Sequence, residues 1–237
     1  PTISEFDQKL INEGFEVERA ARQLFEYGTL IEGSNEEAAA KTQKLIESKA
    51  SPLFQATFLT ESGLLAKTDV IIYNEFADAW NIYEIKSSTN INKNGSDNHI
   101  YDITFQQVVM NKAGIPVEDS YIIHLNKDYK KNGDIDLFEL FSITDVTDLV
   151  KTEYNYIESE AEKALEFLDD KNVDLNACSC LYSSRRNHCS SFKILNKGVP
   201  DYSIHDISRI SAKNLRLLID DLIMNIWEIP EDFKLSA

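Results

Sequence analysis

Three polar residues within otherwise apolar segments, Asp69, Glu84 and Lys86, are the residues of this sequence best suited to chemistry. Side chains two residues apart on a strand point to the same face, so Glu84 and Lys86 would share a face. A neighbouring strand could then bring Asp69 beside them. Two carboxylates form a hard-oxygen site for Mg²⁺ or Mn²⁺, which lowers the pKa of a bound water. A lysine beside that site can orient the water or stabilise developing charge, as phosphodiester hydrolysis requires.

The same three residues also have an ordinary structural interpretation. An aspartate on one strand and a Glu-x-Lys pair on another occur by chance in many sheets. A Glu-x-Lys pair is most often a solvated strand face with a surface ion pair of little energetic consequence. The elements that surround Asp69, Glu84 and Lys86 must therefore decide between the two interpretations.

Hydrophobic periodicity predicts an α/β chain around these residues. Apolar residues at helical spacing predict helices over residues 3–26, 35–49, 99–113, 147–170 and 211–227. Segments rich in β-branched and aromatic residues predict strands over residues 53–59, 64–73, 80–87, 120–126 and 138–143. Ser34 and Glu37 resemble a capping box, and Ser211 is a plausible N-cap. Short turns between the first three strands favour an antiparallel meander, so the three polar residues fall on neighbouring strands.

Four segments of the chain resemble the PD-(D/E)XK nuclease superfamily, in the order that the family has them. They are residues 14–18 (GFEVE), 64–70 (LLAKTDV), 83–88 (YEIKSS) and 102–106 (DITFQ). The resemblance covers roughly residues 14–145 and is greatest to RecB-type and CRISPR-adaptation iron–sulfur nucleases, and to an uncharacterised bacterial family with this core. It implies a restriction-endonuclease-like central mixed sheet flanked by helices, with a C-terminal cysteine-bearing helical subregion.

The resemblance also implies roles for the residues of the motif. In such nucleases the aspartate and the glutamate of Glu-x-Lys bind the metal ion and the lysine assists catalysis. These roles transfer to Asp69, Glu84 and Lys86. The backbone carbonyl of the residue between the glutamate and the lysine is often a further ligand, and that residue is Ile85.

Two further positions match the family only in part. Gln106 corresponds to a glutamine on the helix after the Glu-x-Lys strand, where it would help to position water or substrate, but Met110 stands where a tyrosine is frequent. Glu18 stands where the iron–sulfur relatives have a histidine ligand, and a glutamate oxygen can also ligate Mg²⁺. The ordinary alternatives are an exposed helix charge for Glu18 and a polar helix residue for Gln106.

Cys178, Cys180 and Cys189 lie within one short segment after the nuclease-like region. An odd number of cysteines argues against a disulfide framework. The resemblance implies an iron–sulfur cluster in the full-length protein, with a fourth cysteine upstream of Pro1. A zinc site completed by His188 and three reduced thiols without metal are the alternatives. The basic residues of this segment could contact phosphates or form a solvated loop, and they are Arg185, Arg186, Lys193 and Lys197.

The composition sets limits on the function. The formal net charge of −16 counts against nucleic-acid binding, because phosphate neutralisation usually supplies much of the affinity. It does not exclude such binding, since a metal site is itself acidic and a local basic patch can suffice. No apolar run approaches the roughly 18 residues of a membrane span, and no secretory leader is recognisable, so we expect a cytoplasmic protein. The chain begins at Pro1, and we expect a segment upstream of it.

Together these observations predict a nuclease-like core over residues 1–150 and a helical region with the cysteine cluster over residues 151–237. The leading function is divalent-metal-dependent hydrolysis of DNA phosphodiester bonds, with Mg²⁺ or Mn²⁺ as cofactor and DNA as partner. A non-catalytic nucleic-acid or protein-binding module that retains the nuclease core is the alternative from another class. An unrelated α/β domain with an accidental match is the third interpretation, and it requires that the three motif residues do not converge.

Overall fold

The computed structural model describes residues 5–95, 97–172 and 178–235. The chain divides into two compact units after residue 169. The sequence-based boundary lies at residue 150, and the helix that follows it belongs to the first unit. Within the described residues, no helix is both long enough and apolar enough to cross a membrane.

Within its described residues, the first unit contains five α-helices and six strands. The helices are α1 (Glu5–Ala21), α2 (Asn35–Glu47), α3 (His99–Lys112), α4 (Leu137–Leu140) and α5 (Thr147–Asp169). The strands are β1 (Thr29–Leu30), β2 (Leu53–Leu59), β3 (Leu65–Asn74), β4 (Ala79–Lys86), β5 (Val117–Leu125) and β6 (Phe141–Asp145). They form one mixed sheet in the order β1-β2-β3-β4-β5-β6. This architecture confirms the predicted α/β class with a mixed sheet flanked by helices.

The antiparallel meander is confirmed for β2, β3 and β4, the strands that carry the motif residues or lie next to them. β2 pairs antiparallel with β3, and β3 pairs antiparallel with β4. The chain then crosses through α3, so that β5 lies parallel to β4, and β6 pairs antiparallel with β5. The short β1, which the sequence did not predict, lies parallel to β2.

Apolar residues of alternating strand positions form a core on each face of the sheet. On one face, Ile71 and Ile82 pack with Ile103 and Met110 of α3, and all four side chains are fully buried. Each such side chain contributes about 1.5–3 kcal/mol through its removal from water. On the other face, α1 packs against a second core that includes the buried residues Ala21, Phe54, Val70, Ile85 and Ile123. The two cores hold β3 and β4 rigidly between helices.

Local signals fixed some elements well and others poorly. Ser34 and Glu37 form the predicted capping box, and β2 has the predicted bounds. The strand predicted over 138–143 is wrong in its first half. Asp136 accepts hydrogen bonds from the backbone N–H groups of Phe138 and Glu139 and so starts the helical turn α4, and the strand begins only at Phe141.

The second unit contains short helical turns, α6 (Phe192–Leu195) and α7 (Ala212–Asp220). Its core is small and includes the buried residues Ile204, Ile210, Leu215, Leu218 and Ile219. Ser211 caps α7 as predicted, since its side chain accepts a hydrogen bond from the N–H of Asn214. The predicted helix over 211–227 is too long. Leu222 adopts a left-handed φ of 61°, which a continuing helix does not allow.

Candidate metal centre

The pairing of β3 with β4 brings the predicted motif together. Val70 pairs with Tyr83, and the same antiparallel register places Asp69 opposite Glu84 at the next step. The Asp69 carboxylate accepts a hydrogen bond of 2.8 Å from the backbone N–H of Ile85 through Oδ2. Asp69, Glu84 and Lys86 therefore meet on neighbouring strands, at the end of β4 from which the chain leaves the sheet.

Glu84 is almost completely buried, with 6% of its surface exposed. Its Oε1 accepts a hydrogen bond of 2.7 Å from Lys86 Nζ, and its Oε2 accepts one of 2.7 Å from Gln106 Nε2. Lys86 also donates to Asp102 at the start of α3. Gln106 is itself buried and lies behind Glu84, so its place in the structure suits orienting this carboxylate.

A second network joins Asp69 to Glu18 on α1. The side-chain amide of Gln55 on β2 donates to Asp69 Oδ1 at 3.0 Å and also to Glu18. Arg22 donates to the same oxygen of Glu18 from one turn further along. Gln55 has a left-handed φ of 56°, which is strained for a residue with a side chain. The side-chain amide of Gln55 therefore links the carboxylates of Asp69 and Glu18 from a strained backbone position.

Burial dominates the electrostatics of this cluster. It raises the pKa of Glu84 to about 8, with a further contribution from the neighbouring Asp69 and an opposing one from Lys86. Burial raises the pKa of Asp69 to about 6, although the hydrogen bond from Ile85 acts against the shift. For Lys86, burial lowers the pKa, but Glu84 and Asp102 outweigh that effect and leave the pKa above its usual value. The cluster has more negative charge than its one lysine can neutralise.

The cluster opens into a cleft of about 300 Å³. The cleft is lined by residues of α1, β3 and the end of β4, namely Ile11, Gly14, Phe15, Glu18, Asp69, Glu84, Ile85, Lys86 and Ser87. Carboxylate oxygens and the Ile85 carbonyl are the ligand types that Mg²⁺ and Mn²⁺ prefer. Asp69, Glu84 and Glu18 line the cleft with carboxylates and Ile85 adds a backbone carbonyl, so the lining supplies oxygen ligands of this type.

The carboxylates of Glu18, Asp69 and Glu84 do not converge on one point in the described structure. Among the described residues, only the cysteines form a group of three or more such side chains whose ligand atoms lie within 4.8 Å of one another. Glu18 is held by Gln55 and Arg22, so it would have to rotate to join Asp69 and Glu84 around a single ion.

In the second unit, Cys178, Cys180 and Cys189 lie close together. Their sulfur atoms lie within 4.8 Å of one another, close enough to hold a metal ion. A hydrogen bond from the backbone N–H of Cys180 is the main reason that the pKa of the Cys178 thiol is lowered. His188 is engaged elsewhere, because its Nε2 bonds the Ser183 carbonyl at 2.9 Å and its ring stacks on Phe192.

The basic residues predicted around the cysteines do not form a uniform patch. A cleft of about 310 Å³ is lined in part by Arg185, Lys193 and Lys197, but also by Asp201 and Asp206. Arg185 forms an ion pair with Asp206. These two aspartates offset much of the positive charge that phosphate binding would need.

Two residues of the first site were not identified as functional from the sequence. Gln55 is a polar residue in the centre of an apolar strand, and antiparallel pairing with β3 puts it beside Asp69. That signal was present in the sequence, but its contact with Glu18 depends on how α1 packs. Asp102 belongs to a segment of the family resemblance, yet its ion pair with Lys86 was not expected.

No known protein-family profile matches the chain. A search of curated proteins also returned no match.

Proposed function

We propose that the first unit is a divalent-metal-dependent nuclease of the PD-(D/E)XK type that hydrolyses DNA phosphodiester bonds on a restriction-endonuclease-like fold. One observation carries the proposal: the antiparallel β3–β4 pair brings Asp69, Glu84 and Lys86 to a single cleft. Their closeness supports the proposal, because an accidental match would not require the three residues to share a cleft. The order of strands and helices around the cleft agrees with the family order.

Each residue has a role that follows from its contacts. Asp69, Glu84, the Ile85 carbonyl and Glu18 would hold Mg²⁺ or Mn²⁺. When bound, such an ion lowers the pKa of a coordinated water and offsets charge on a phosphoryl oxygen. Lys86 lies at the mouth of the site, where its ammonium group can orient water or stabilise a developing phosphate charge.

Gln106 contacts Glu84 rather than the space where a substrate would bind. Its amide holds Oε2 of Glu84, and it does not line the cleft. It is therefore a positioning residue that fixes the carboxylate for metal binding. Asp102 acts similarly on Lys86, since it anchors the ammonium group from the side of α3.

The test is Mn²⁺-dependent cleavage of single- and double-stranded DNA by the parent chain, Glu84→Ala and Lys86→Ala. Both variants should lose cleavage by about a hundredfold or more, because one removes a metal ligand and the other removes the cation proposed to act on the water or the phosphate. Lys67→Ala is the matched control, since Lys67 is an exposed lysine of the same sheet outside the cleft. A parent chain that neither cuts DNA nor takes up Mn²⁺ contradicts the proposal.

The acidity of the chain favours a second candidate, a non-catalytic nucleic-acid or protein-binding module on the same core. A net charge of −16 makes electrostatic attraction to DNA weak. Metal binding separates the two candidates. The enzyme must bind Mn²⁺ at the carboxylates, whereas a binding module has no need of the ion.

For the second unit we propose a thiolate metal site formed by the three cysteines. The family resemblance favours an iron–sulfur cluster, which usually takes four thiolate ligands and so needs one ligand besides these three cysteines. A zinc ion is the alternative, because three thiolates and one further ligand can hold it. Metal and sulfide analysis after anaerobic purification, with Cys189→Ser as comparison, distinguishes iron, zinc and no metal. A cytoplasmic location agrees with this proposal, because thiols remain reduced there.

A further inference from the structure

The alternation of side chains along β2 switches at Gln55. In a regular strand, residues two positions apart point to the same face of the sheet. Phe54, however, belongs to the core that α1 covers, whereas Ala56 belongs to the core that α3 covers. Gln55 lies between them with a left-handed φ of 56°. This backbone conformation therefore exchanges the two faces of β2 at a single residue.

A left-handed conformation within a strand is unfavourable for a residue with a side chain, and glycine adopts it without a steric penalty. If the exchange of faces were all that this position required, glycine would provide it more easily. The sequence instead has glutamine, whose side chain ends in an amide that can donate two hydrogen bonds. Strained residues cluster at functional sites, where the surrounding contacts hold them in place. The strain therefore points to a role for the side chain of Gln55.

Strand register places Gln55 in one row with two of the proposed metal ligands. The pairing of β2 with β3 continues on both sides of Gln55 without an inserted residue, so Gln55 lies opposite Asp69. The pairing of β3 with β4 places Asp69 opposite Glu84. Residues that lie opposite one another on neighbouring strands are close enough for their side chains to interact.

The amide nitrogen of Gln55 contacts two carboxylates from different elements. Nε2 donates to Asp69 Oδ1 at 3.0 Å and also to Glu18 Oε1. A neutral amide joins these two negative groups without repelling a bound cation, as a lysine or arginine in its place would. Oε2 of Glu18 accepts no hydrogen bond from the described residues, so this oxygen can turn towards an ion while Oε1 stays on Gln55.

Resting on the proposed metal-dependent function, we propose that Gln55 is a positioning residue that holds Glu18 beside Asp69, so that both carboxylates can bind one divalent cation. Gln55 acts through these carboxylates and is not among the residues that line the cleft. Partners that orient metal ligands by hydrogen bonding typically contribute about 10–100-fold to metal affinity. The strained conformation of Gln55 is thereby linked to metal binding rather than to folding.

The test is calorimetric titration of the full chain with Mn²⁺ for the parent, Gln55→Gly and Gln55→Met. Gln55→Gly removes the amide and relieves the strain, whereas Gln55→Met keeps the strain and a side chain of similar length but donates no hydrogen bond. Both variants should bind Mn²⁺ about 10–100-fold more weakly than the parent. With a chelator present, Gln55→Gly should melt at a higher temperature than Gln55→Met, because only the glycine relieves the strain.

Tyr27→Gly is the matched control. Tyr27 also has a left-handed φ, 58°, but it is 94% exposed and does not line the cleft, so its replacement should leave the Mn²⁺ affinity unchanged. Parent affinity in both Gln55 variants overturns the positioning role alone. Weaker binding in only one of them assigns the effect to the backbone or to packing and also overturns that role. A parent chain that takes up no Mn²⁺ overturns the metal-dependent function on which the role rests.

Coupling between Gln55 and Glu18 gives a second readout, which a purely structural role would not change. Mn²⁺ affinity is measured for Glu18→Ala, Gln55→Gly and the variant with both substitutions. If Gln55 acts in part through Glu18, the double variant should lose less affinity than the product of the two single losses. Two residues that act independently would give losses that multiply, and that result overturns the link between the two carboxylates.

Discussion

Glu84 holds an ionisable carboxyl group where water hardly reaches it. Lys86 and Gln106 each satisfy one of its oxygens, but burial still raises its pKa to about 8. Glu84 therefore keeps its proton at neutral pH more readily than an exposed glutamate does. A bound cation would favour the charged form of this carboxyl group.

The first prediction at the residue scale concerns stability without metal. The folded pKa of Glu84, about 8, lies above its ordinary value of 4.5, so the folded state retains a proton that the unfolded chain has lost. The contribution of Glu84 to stability is then greatest below about pH 4.5 and is lost as the pH rises through about 8. In Glu84→Gln the side chain is neutral throughout, so the melting temperature measured with a chelator should fall less between about pH 5 and pH 9. Glu61→Gln, at an exposed position, should follow the parent, and parallel curves for all three proteins would contradict the prediction.

The second prediction concerns binding of Mn²⁺. The ion requires deprotonated ligands, and the pKa values are about 6 for Asp69 and about 8 for Glu84. Apparent affinity should therefore increase as the pH rises from 6 to 8 and level off above that range. Binding near neutral pH should also release protons. Isothermal titration in buffers of different ionisation enthalpy measures both effects, and a pH-independent affinity would show that the ion binds elsewhere.

The site could be predicted from the sequence where a single strand or strand pair determines it. Asp69, Glu84 and Lys86 meet because strand periodicity and the short β3–β4 connection leave little choice. Gln55 could not be assigned in the same way. Its amide reaches Glu18 from a left-handed backbone conformation within β2 and because α1 packs against this face of the sheet, and neither feature has a local sequence signal.

At the scale of elements, α1 is a helix with two apolar faces, one packed on the sheet and one along the cleft. Gly14→Ala tests whether the glycine at this position weakens the helix. The substitution should stabilise the protein by about 0.5–1 kcal/mol, because the added methyl group meets nothing and alanine favours helix. Urea unfolding measures this effect.

Gly63→Ala is the control for this substitution. Gly63 has equally open surroundings, but its φ of 93° is a conformation that side chains disfavour. The same change should therefore destabilise the protein at Gly63. Destabilisation at both glycines would mean that open space at Gly14 does not describe the helix in solution.

Elements with strong local signals were predicted almost to the residue, and those decided by one side chain were not. The capping box of Ser34 and Glu37 marks the start of α2 unambiguously. By contrast, apolar residues continue past Asp220 with helical spacing, yet the helix ends because Leu222 turns into a left-handed conformation. Packing around Ile223 and Met224 in the small core competes with helical continuation there, and periodicity does not report that competition.

At the scale of the whole molecule, the two units differ greatly in the size of their cores. The smaller unit has five buried apolar residues in the described core, so a bound metal would contribute much of its stability. Calorimetry of the metal-loaded chain should show two transitions. Removal of the thiolate-bound metal should lower only the smaller transition by several degrees, and Cys178→Ser should reproduce that effect. A single transition that is insensitive to chelators would contradict a metal in this unit.

The order of strands across the sheet is the same as their order along the chain. Every strand therefore finds its partner among its nearest neighbours in sequence, and contacts of short sequence separation form quickly. Asp69 and Glu84 come together as soon as one hairpin closes, well before the cysteine-bearing segment has been synthesised. A ribosome-bound chain could thus assemble its carboxylates early, and metal capture by the nascent first unit would precede any capture by the thiols.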